Sequence, residues 1–195
     1  MYESQDRKLI FVFTGPDGSG RKTVAYTAGQ TLGIPKVISY ATREPRPGEV
    51  NGQDYHFISD ALYDQLEEQD EFLESVTIGT HRYGIREYDI EQSIQANGRV
   101  YVVLNRDGAE ILKGMYGDRV VRICIYADRE TVTERQRGIG LPEDVIESHL
   151  AHYDYDMAYQ AACELAYENY DLAYTVHDLT KTLEGYLNRN LVERD

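Results

Sequence analysis

The sequence predicts an α/β fold in which a parallel sheet of five strands is wound on both faces by helices. Three observations predict it. Short apolar runs alternate with stretches that can be helical, the first run feeds a glycine-rich turn, and a Pro/Gly-rich insertion separates that first unit from the remaining ones. Lys8 to Thr14 (KLIFVFT) reads as the first buried strand, and residues 1–7 as a frayed polar lead. Gly15 to Thr23 forms the turn, followed by a helix to about Leu32. Lys36 to Ala41 (KVISYA) is the next strand, and Tyr55 to Ser59 alternates like an edge strand. A helix capped by Asp60 runs to about Glu68, and Glu71 to Thr77 returns as a strand. Glu87 to Asn97 is helical and closed by Gly98. Arg99 to Leu104 and Arg119 to Ala127 supply two more buried strands, and Asp128 caps the helix after the second. From Pro142 the apolar positions Val145, Ile146, Leu150, Tyr153, Met157, Ala161 and Leu165 follow helical spacing, which predicts one long helix to about Glu168. Leu172 to Val176 is read as the fifth strand and Asp178 as the cap of a final helix to about Val192.

At 195 residues the chain fits one domain with a substantial core and a small insertion. A net charge of −14 argues against broad nucleic-acid or anionic-membrane binding, while leaving room for a locally basic anion site. Only Cys124 and Cys163 occur, both in apolar or half-apolar surroundings, so unpaired reduced thiols are expected. No leader-like or long apolar stretch is evident, which makes the cytoplasm the expected compartment. Seven of the 17 tyrosines fall in the acidic C-terminal third. They read first as packing amphipaths, and secondly as an acidic, tyrosine-rich face that a protein partner could meet.

Two segments carry chemistry. In the turn, Gly15, Gly18 and Gly20 allow successive N–H groups to point at an anion, and the strand-turn-helix setting is the one a phosphate-cradling loop needs. Asp17, Ser19, Arg21, Lys22 and Thr23 complete the phosphate-loop candidate. Counted from Gly15 as G-x-x-x-x-G-K-[ST], the lysine position holds Arg21 and the hydroxyl position holds Lys22. A second register keeps Lys22–Thr23 as the K-[ST] pair with one extra loop residue, so either cation remains open as the phosphate contact. The second segment, Ser39 to Tyr55 (SYATREPRPGEVNGQDY), sets Arg43, Arg46, Glu49 and Tyr55 among two prolines and two glycines. The prolines keep the segment extended, and two guanidinium forks held together suit a phosphate dianion. A loop whose arginines merely pair with nearby acids is the plainer alternative.

This second motif, S-x-x-T-R-x-P-R-x-G-E-x-N-G-x-D-Y, resembles the GMP-binding segment of the guanylate kinase family. The resemblance implies a P-loop nucleoside monophosphate kinase fold: a core of residues 1–38 and 87–195, a GMP-binding subdomain of residues 39–86, and a lid at about 135–144. It makes Ser39 a contact to guanine, Arg43, Arg46 and Tyr55 contacts to the phosphate, and Glu49 their brace. Glu74 becomes the guanine reader, because one carboxylate accepts from both N1–H and the exocyclic amine. Tyr83 becomes a second phenol on the phosphate and Asn105 a nucleotide contact. Arg135 and Arg137 fall before the lid-like GIGLPED, where such enzymes bring cations onto the transferred group.

Departures from the family pattern gather on the ATP and metal side. Arg21 and Lys22 alter the loop, Val103 and Asn105 stand where two acids are expected, His149 replaces an arginine and His177 an asparagine. Ile85 replaces a hydroxyl on the GMP side. No protein metal ligand is identified, so Mg²⁺ is expected only as a companion of ATP. Two readings follow. One is a kinase moving a phosphoryl group from ATP to GMP, with Arg21 or Lys22, Arg43, Arg135 and Arg137 as catalytic cations. The other is a protein that holds GMP, another guanine nucleotide or a phosphopeptide without turnover.

Overall fold

In the computed structural model, which describes residues 8–192, the chain begins with β1 (Leu9–Thr14), turns through the glycine loop and enters α1 (Arg21–Leu32). The expected polar lead, residues 1–7, lies outside the described residues. After α1 the chain leaves the main sheet. It builds β2 (Tyr40–Ala41), β3 (His56–Phe57), α2 (Asp60–Glu68), β4 (Phe72–Ile78) and β5 (His81–Arg86). Next come α3 (Glu87–Asn97), β6 (Arg99–Val103), α4 (Arg106–Tyr116) and β7 (Val120–Tyr126). The helices α5 (Arg129–Gly138), α6 (Glu143–Ala151) and α7 (Tyr153–Ala158) precede β8 (Leu165–Glu168) and α8 (Leu172–Val192). No described helix is long and apolar enough to cross a membrane.

The main sheet has the order β6-β1-β7-β8, all parallel. Every residue of β1 is buried, and alternate side chains serve opposite faces. Leu9, Phe11 and Phe13 join Val24, Ala25 and Ala28 of α1 and Leu179 and Leu183 of α8. Ile10 and Val12 join Ile90 and Ile94 of α3 and Leu112 of α4. Each fully buried aliphatic or Phe side chain contributes about 1.5–3 kcal/mol relative to exposure, so β1 anchors both layers.

The second sheet is mixed, with order β3-β2-β5-β4. It takes the second half of what the sequence predicts as one strand from Lys36 to Ala41. Tyr40 and Ala41 pair with His56–Phe57 on one side and Gly84–Tyr83 on the other. Lys36 stays at the β6 edge, where it makes a single bridge to Tyr101, and Val37 N donates to Tyr101 O at 2.9 Å. The main sheet therefore has four full strands, and its fifth position is one bridged residue.

The C-terminal third differs from its expected elements. The helix expected from Pro142 to about Glu168 ends α6 at Ala151, resumes as α7, and tightens into a 3₁₀ turn over Tyr159–Ala162. Leu165–Glu168, not Leu172–Val176, is the last strand, paired with Ile123–Tyr126. Its alternation spans only four residues, Leu165 and Tyr167 facing the core, so the sequence shows the longer helical spacing instead. Asp171 Oδ1 accepts from Tyr174 N at 3.0 Å at the start of α8, which leaves Asp178 inside the helix rather than at its cap. Ser59, not Asp60, caps α2, accepting from Leu62 N at 3.2 Å. Cys124 is buried, Cys163 is half-buried, and both are free thiols.

Candidate nucleotide site

The glycine loop lies at the carboxyl end of β1, on the rim where ligands bind in open parallel sheets. Gly20, at φ 86°, caps α1, and a Cβ there would stand 2.6 Å from Asn169 Nδ2. Asn169 Nδ2 donates to Ser19 O at 2.8 Å, so the loop is drawn against the end of β8. Arg135 joins the same arrangement. Its guanidinium donates to Ser19 O at 3.3 Å and to Asn169 O at 2.5 Å, and thus braces the loop from behind.

Arg21 folds back on the loop that precedes it. It donates to the Gly15 carbonyl and reaches Asp17 Oδ1 at 3.1 Å. Lys22, one residue on, lines the cleft, and burial of its ammonium followed by repulsion from Arg21 lowers its pKa, although the side chain as a whole is exposed. Thr23 is exposed on the first turn of α1 and Ser19 is buried within the loop. Arg137 points elsewhere: its exposed side chain pairs with Glu143 at 2.7 Å across the 139–142 turn.

The facing wall comes from the mixed sheet. Arg43 is 8% exposed and grips Glu49 with both nitrogens, at 2.5 and 2.7 Å, while its guanidinium lies 5.2 Å from the centre of the Tyr55 ring. Glu49 also accepts from Arg46 N at 2.7 Å. The Arg43 fork, then that backbone donor, pull the Glu49 carboxyl down to about 2. Arg46 itself is exposed. Tyr55 and Tyr83 meet edge to face, with ring centres 5.8 Å apart, and both line the cleft with Ser39. Burial pushes the Tyr55 phenol up, so it is a hydrogen-bond donor at neutral pH.

Glu74 owes its aim to an irregularity. The β4–β5 register shifts between Phe72 and Glu74, a bulge that turns the side chain toward α4. Glu74 Oε1 accepts from Asn105 N at 3.0 Å, at the amino end of α4. A Cβ at Gly108 would stand 3.1 Å from Glu74 Cδ, so glycine permits this approach. Burial raises the Glu74 pKa and the Asn105 bond opposes that rise. The Asn105 side chain is occupied as the cap of α4, its Oδ1 accepting from Gly108 N at 2.8 Å.

Between the two walls lies a cleft of about 650 Å³, within the ordinary size of a small-ligand site. Of the residues singled out from sequence, it brings together Asp17, Arg21, Lys22, Ser39, Tyr55, Glu74, Tyr83 and Asn105. Arg43, Arg46, Glu49, Arg135 and Arg137 do not line it. Several lining residues are absent from the sequence reading. Lys36 donates to Asp54 O at 3.2 Å beside the Tyr55 ring, and Arg106 stacks 4.0 Å from the centre of Tyr155. His149, which stands where the family carries an arginine, also lines the cleft, with Nδ1 2.5 Å from Gln136 Oε1. A lone lysine before an apolar run carries no spacing signal, and only the shared rim of β2 and β6 gives Lys36 meaning.

A glycine loop at the end of β1, a doubly wound parallel sheet and an inserted mixed sheet facing that loop define the P-loop nucleoside monophosphate kinase fold. The guanylate kinase family model matches residues 6–186, and the chain belongs to that family. Guanylate kinase of Fusobacterium nucleatum is 26% identical over 177 residues, covering 90% of this chain and 96% of the relative. That of Nitrosomonas europaea is 28% identical over 178 residues, covering 90% and 89%. The crystal structure of guanylate kinase from Anaplasma phagocytophilum superposes with a TM-score of 0.69 at 23% identity over 91% of this chain and 85% of that one, a likeness of fold.

Proposed function

We propose that the chain transfers a phosphoryl group from ATP to GMP, releasing ADP and GDP. The observation that carries this reading is the opposition of Lys22 on the glycine-loop wall to Ser39, Tyr55, Glu74 and Tyr83 on the mixed-sheet wall of one cleft. Family membership supplies the reaction class. In this reading Glu74 accepts from guanine N1–H and the exocyclic amine, and Ser39 meets the base beside it. Tyr55 and Tyr83 donate to the GMP phosphate, with Arg43 and Arg46 above them. The loop from Gly15 to Thr23 receives the ATP phosphates through backbone N–H groups.

Transfer of this kind rests on positioning and charge rather than on a covalent intermediate. Residues 39–86 act as the acceptor subdomain, and the segment at about 135–144 closes over the phosphates as a lid. Closure in this scheme exchanges Glu143 for a phosphate oxygen at Arg137, whereas Arg135 holds Ser19 and keeps the loop in shape. The test is ADP formation from ATP with GMP, AMP, CMP or UMP as acceptor. Turnover dependent on GMP is expected. GMP binding without any turnover would reassign the chain to holding the nucleotide.

A further inference from the structure

Phosphate loops ordinarily join Mg²⁺ to the nucleotide through a hydroxyl that directly follows the loop lysine. The residues of this loop do not fit that ion. In the register counted from Gly15, Lys22 occupies the hydroxyl position; Ser19 is buried with its Oγ unpartnered, and Thr23, the hydroxyl of the other register, does not line the cleft. The nearest loop carboxylate, Asp17, is held by Arg21. Across the cleft Asp107 accepts from Tyr155 OH at 2.7 Å, and burial holds the Asp156 carboxyl above its usual range.

The cation that is present is Lys22. Arg21 is withdrawn onto Gly15 and Asp17, and Arg135 onto Ser19 and Asn169, so neither is free to follow a phosphate. No hydrogen bond or ion pair fixes the Lys22 ammonium among the described residues. Lys22 lines the same cleft as Lys36 and Glu74 of the acceptor side. Lys22 thus stands at the seam between the glycine loop and the monophosphate wall, where charge accumulates during transfer between them. An ammonium there supplies three donors and a positive charge to phosphate oxygens, and it repels a dication from the same place.

We propose that Lys22 takes the place of the divalent cation at this loop, so that the cleft binds a nucleoside triphosphate free of Mg²⁺ as well as it binds the Mg²⁺ complex. The proposal rests on the nucleotide reading above. Its test is calorimetric titration of the intact chain with the β,γ-imido analogue of ATP, in Mg²⁺ and in EDTA, with GMP titrated separately. For the unmodified chain the two triphosphate affinities are expected to agree within about threefold. Lys22→Ser, which restores an oxygen, is expected to make binding at least about tenfold tighter in Mg²⁺ than in EDTA. Lys22→Met is expected to weaken triphosphate binding in EDTA by about tenfold or more. A tenfold loss on removing Mg²⁺ from the unmodified chain overturns the proposal. So does Lys22→Met with undiminished binding, or no triphosphate binding under either condition. GMP binding separates the two levels: if GMP still binds, only the Lys22 inference fails, and if GMP does not bind, the nucleotide reading fails with it.

Discussion

On the mixed-sheet wall the polar groups are assembled before any ligand arrives: Arg43 is locked to Glu49, Tyr55 against Tyr83, and Glu74 onto the end of α4. On the glycine-loop wall Arg21, Arg135 and Arg137 all end on this chain's own carbonyls or carboxylates. From that wall Lys22 is left facing the cleft. The first wall is preorganised for a monophosphate, which lowers the ordering cost of binding it. On the second, Arg21 and Arg135 hold the loop's shape and Arg137 closes the 139–142 turn, so in the proposed reading a triphosphate there relies on backbone N–H groups and Lys22. Affinity for GMP and affinity for ATP are therefore separable properties of this cleft.

The largest break in that contrast is expected from Arg43→Ala. It removes the partner that orders the Glu49 turn and, in the proposed reading, a phosphate fork, and GMP affinity should fall by about 3 kcal/mol, the upper end for a charge-assisted hydrogen bond. Thermal stability should fall with it, because Arg43 is nearly buried against Tyr55 and Phe57. Calorimetry with GMP and a melting curve read both. Undiminished GMP affinity would show that the clamp is structural only.

Next is Glu74→Gln, which should cost GMP about 2 kcal/mol while leaving binding of an ATP analogue alone. The same change carries a signed effect on stability. Burial raises the folded-state pKa of Glu74 above its unfolded value, so ionisation works against folding as pH rises through that window. The Gln variant should therefore melt higher than the parent at neutral pH and match it near pH 4, below the ionisation. A variant that melts lower at pH 7 would mean that the Asn105 contact outweighs desolvation.

The Ser39–Tyr55 part of the acceptor wall is legible because it is one continuous motif, and extended backbone between prolines leaves little freedom in where its residues go, whereas Glu74 and Tyr83 come from later strands. Ser39, Tyr55, Glu74 and Tyr83 do share one cleft. What could not be read is how side chains are spent. Arg21 and Lys22 are adjacent cations in sequence, and only the rotamer that returns Arg21 to Gly15 and Asp17 tells them apart. The sequence makes Arg135 a catalytic cation beside the lid, yet the partners that claim it, Ser19 and Asn169, are 116 and 34 residues away. The β8 strand was missed for a similar reason. Four residues of alternation next to a long helical pattern acquire meaning only when β7 is beside them.

Arg46→Ala sharpens the comparison within the acceptor wall. Arg46 is exposed and only its backbone N–H takes part in the clamp, so stability should change by no more than about 0.5 kcal/mol. GMP affinity should still fall by about 1.5 kcal/mol, because the fork can close on a phosphate at Tyr55 and Tyr83. Equal effects of Arg43→Ala and Arg46→Ala on melting would contradict the division between the brace and the contact.

The last test concerns Glu49, whose contribution changes with pH only in acid. Its carboxyl titrates near 2 in the folded chain, held there by Arg43 and then by Arg46 N, against an unfolded value near 4.5. A depressed folded pKa gives stability that is full above the unfolded value and is lost as pH falls toward the folded one. Melting curves of the parent and of Glu49→Gln should therefore differ by a constant amount from neutral pH down to about pH 5, and converge between about pH 4 and pH 2. If the gap instead persisted unchanged to pH 2, the benefit of Glu49 would lie in shape rather than in charge. The preorganisation of the acceptor wall would then have to be credited to the prolines that flank Arg46.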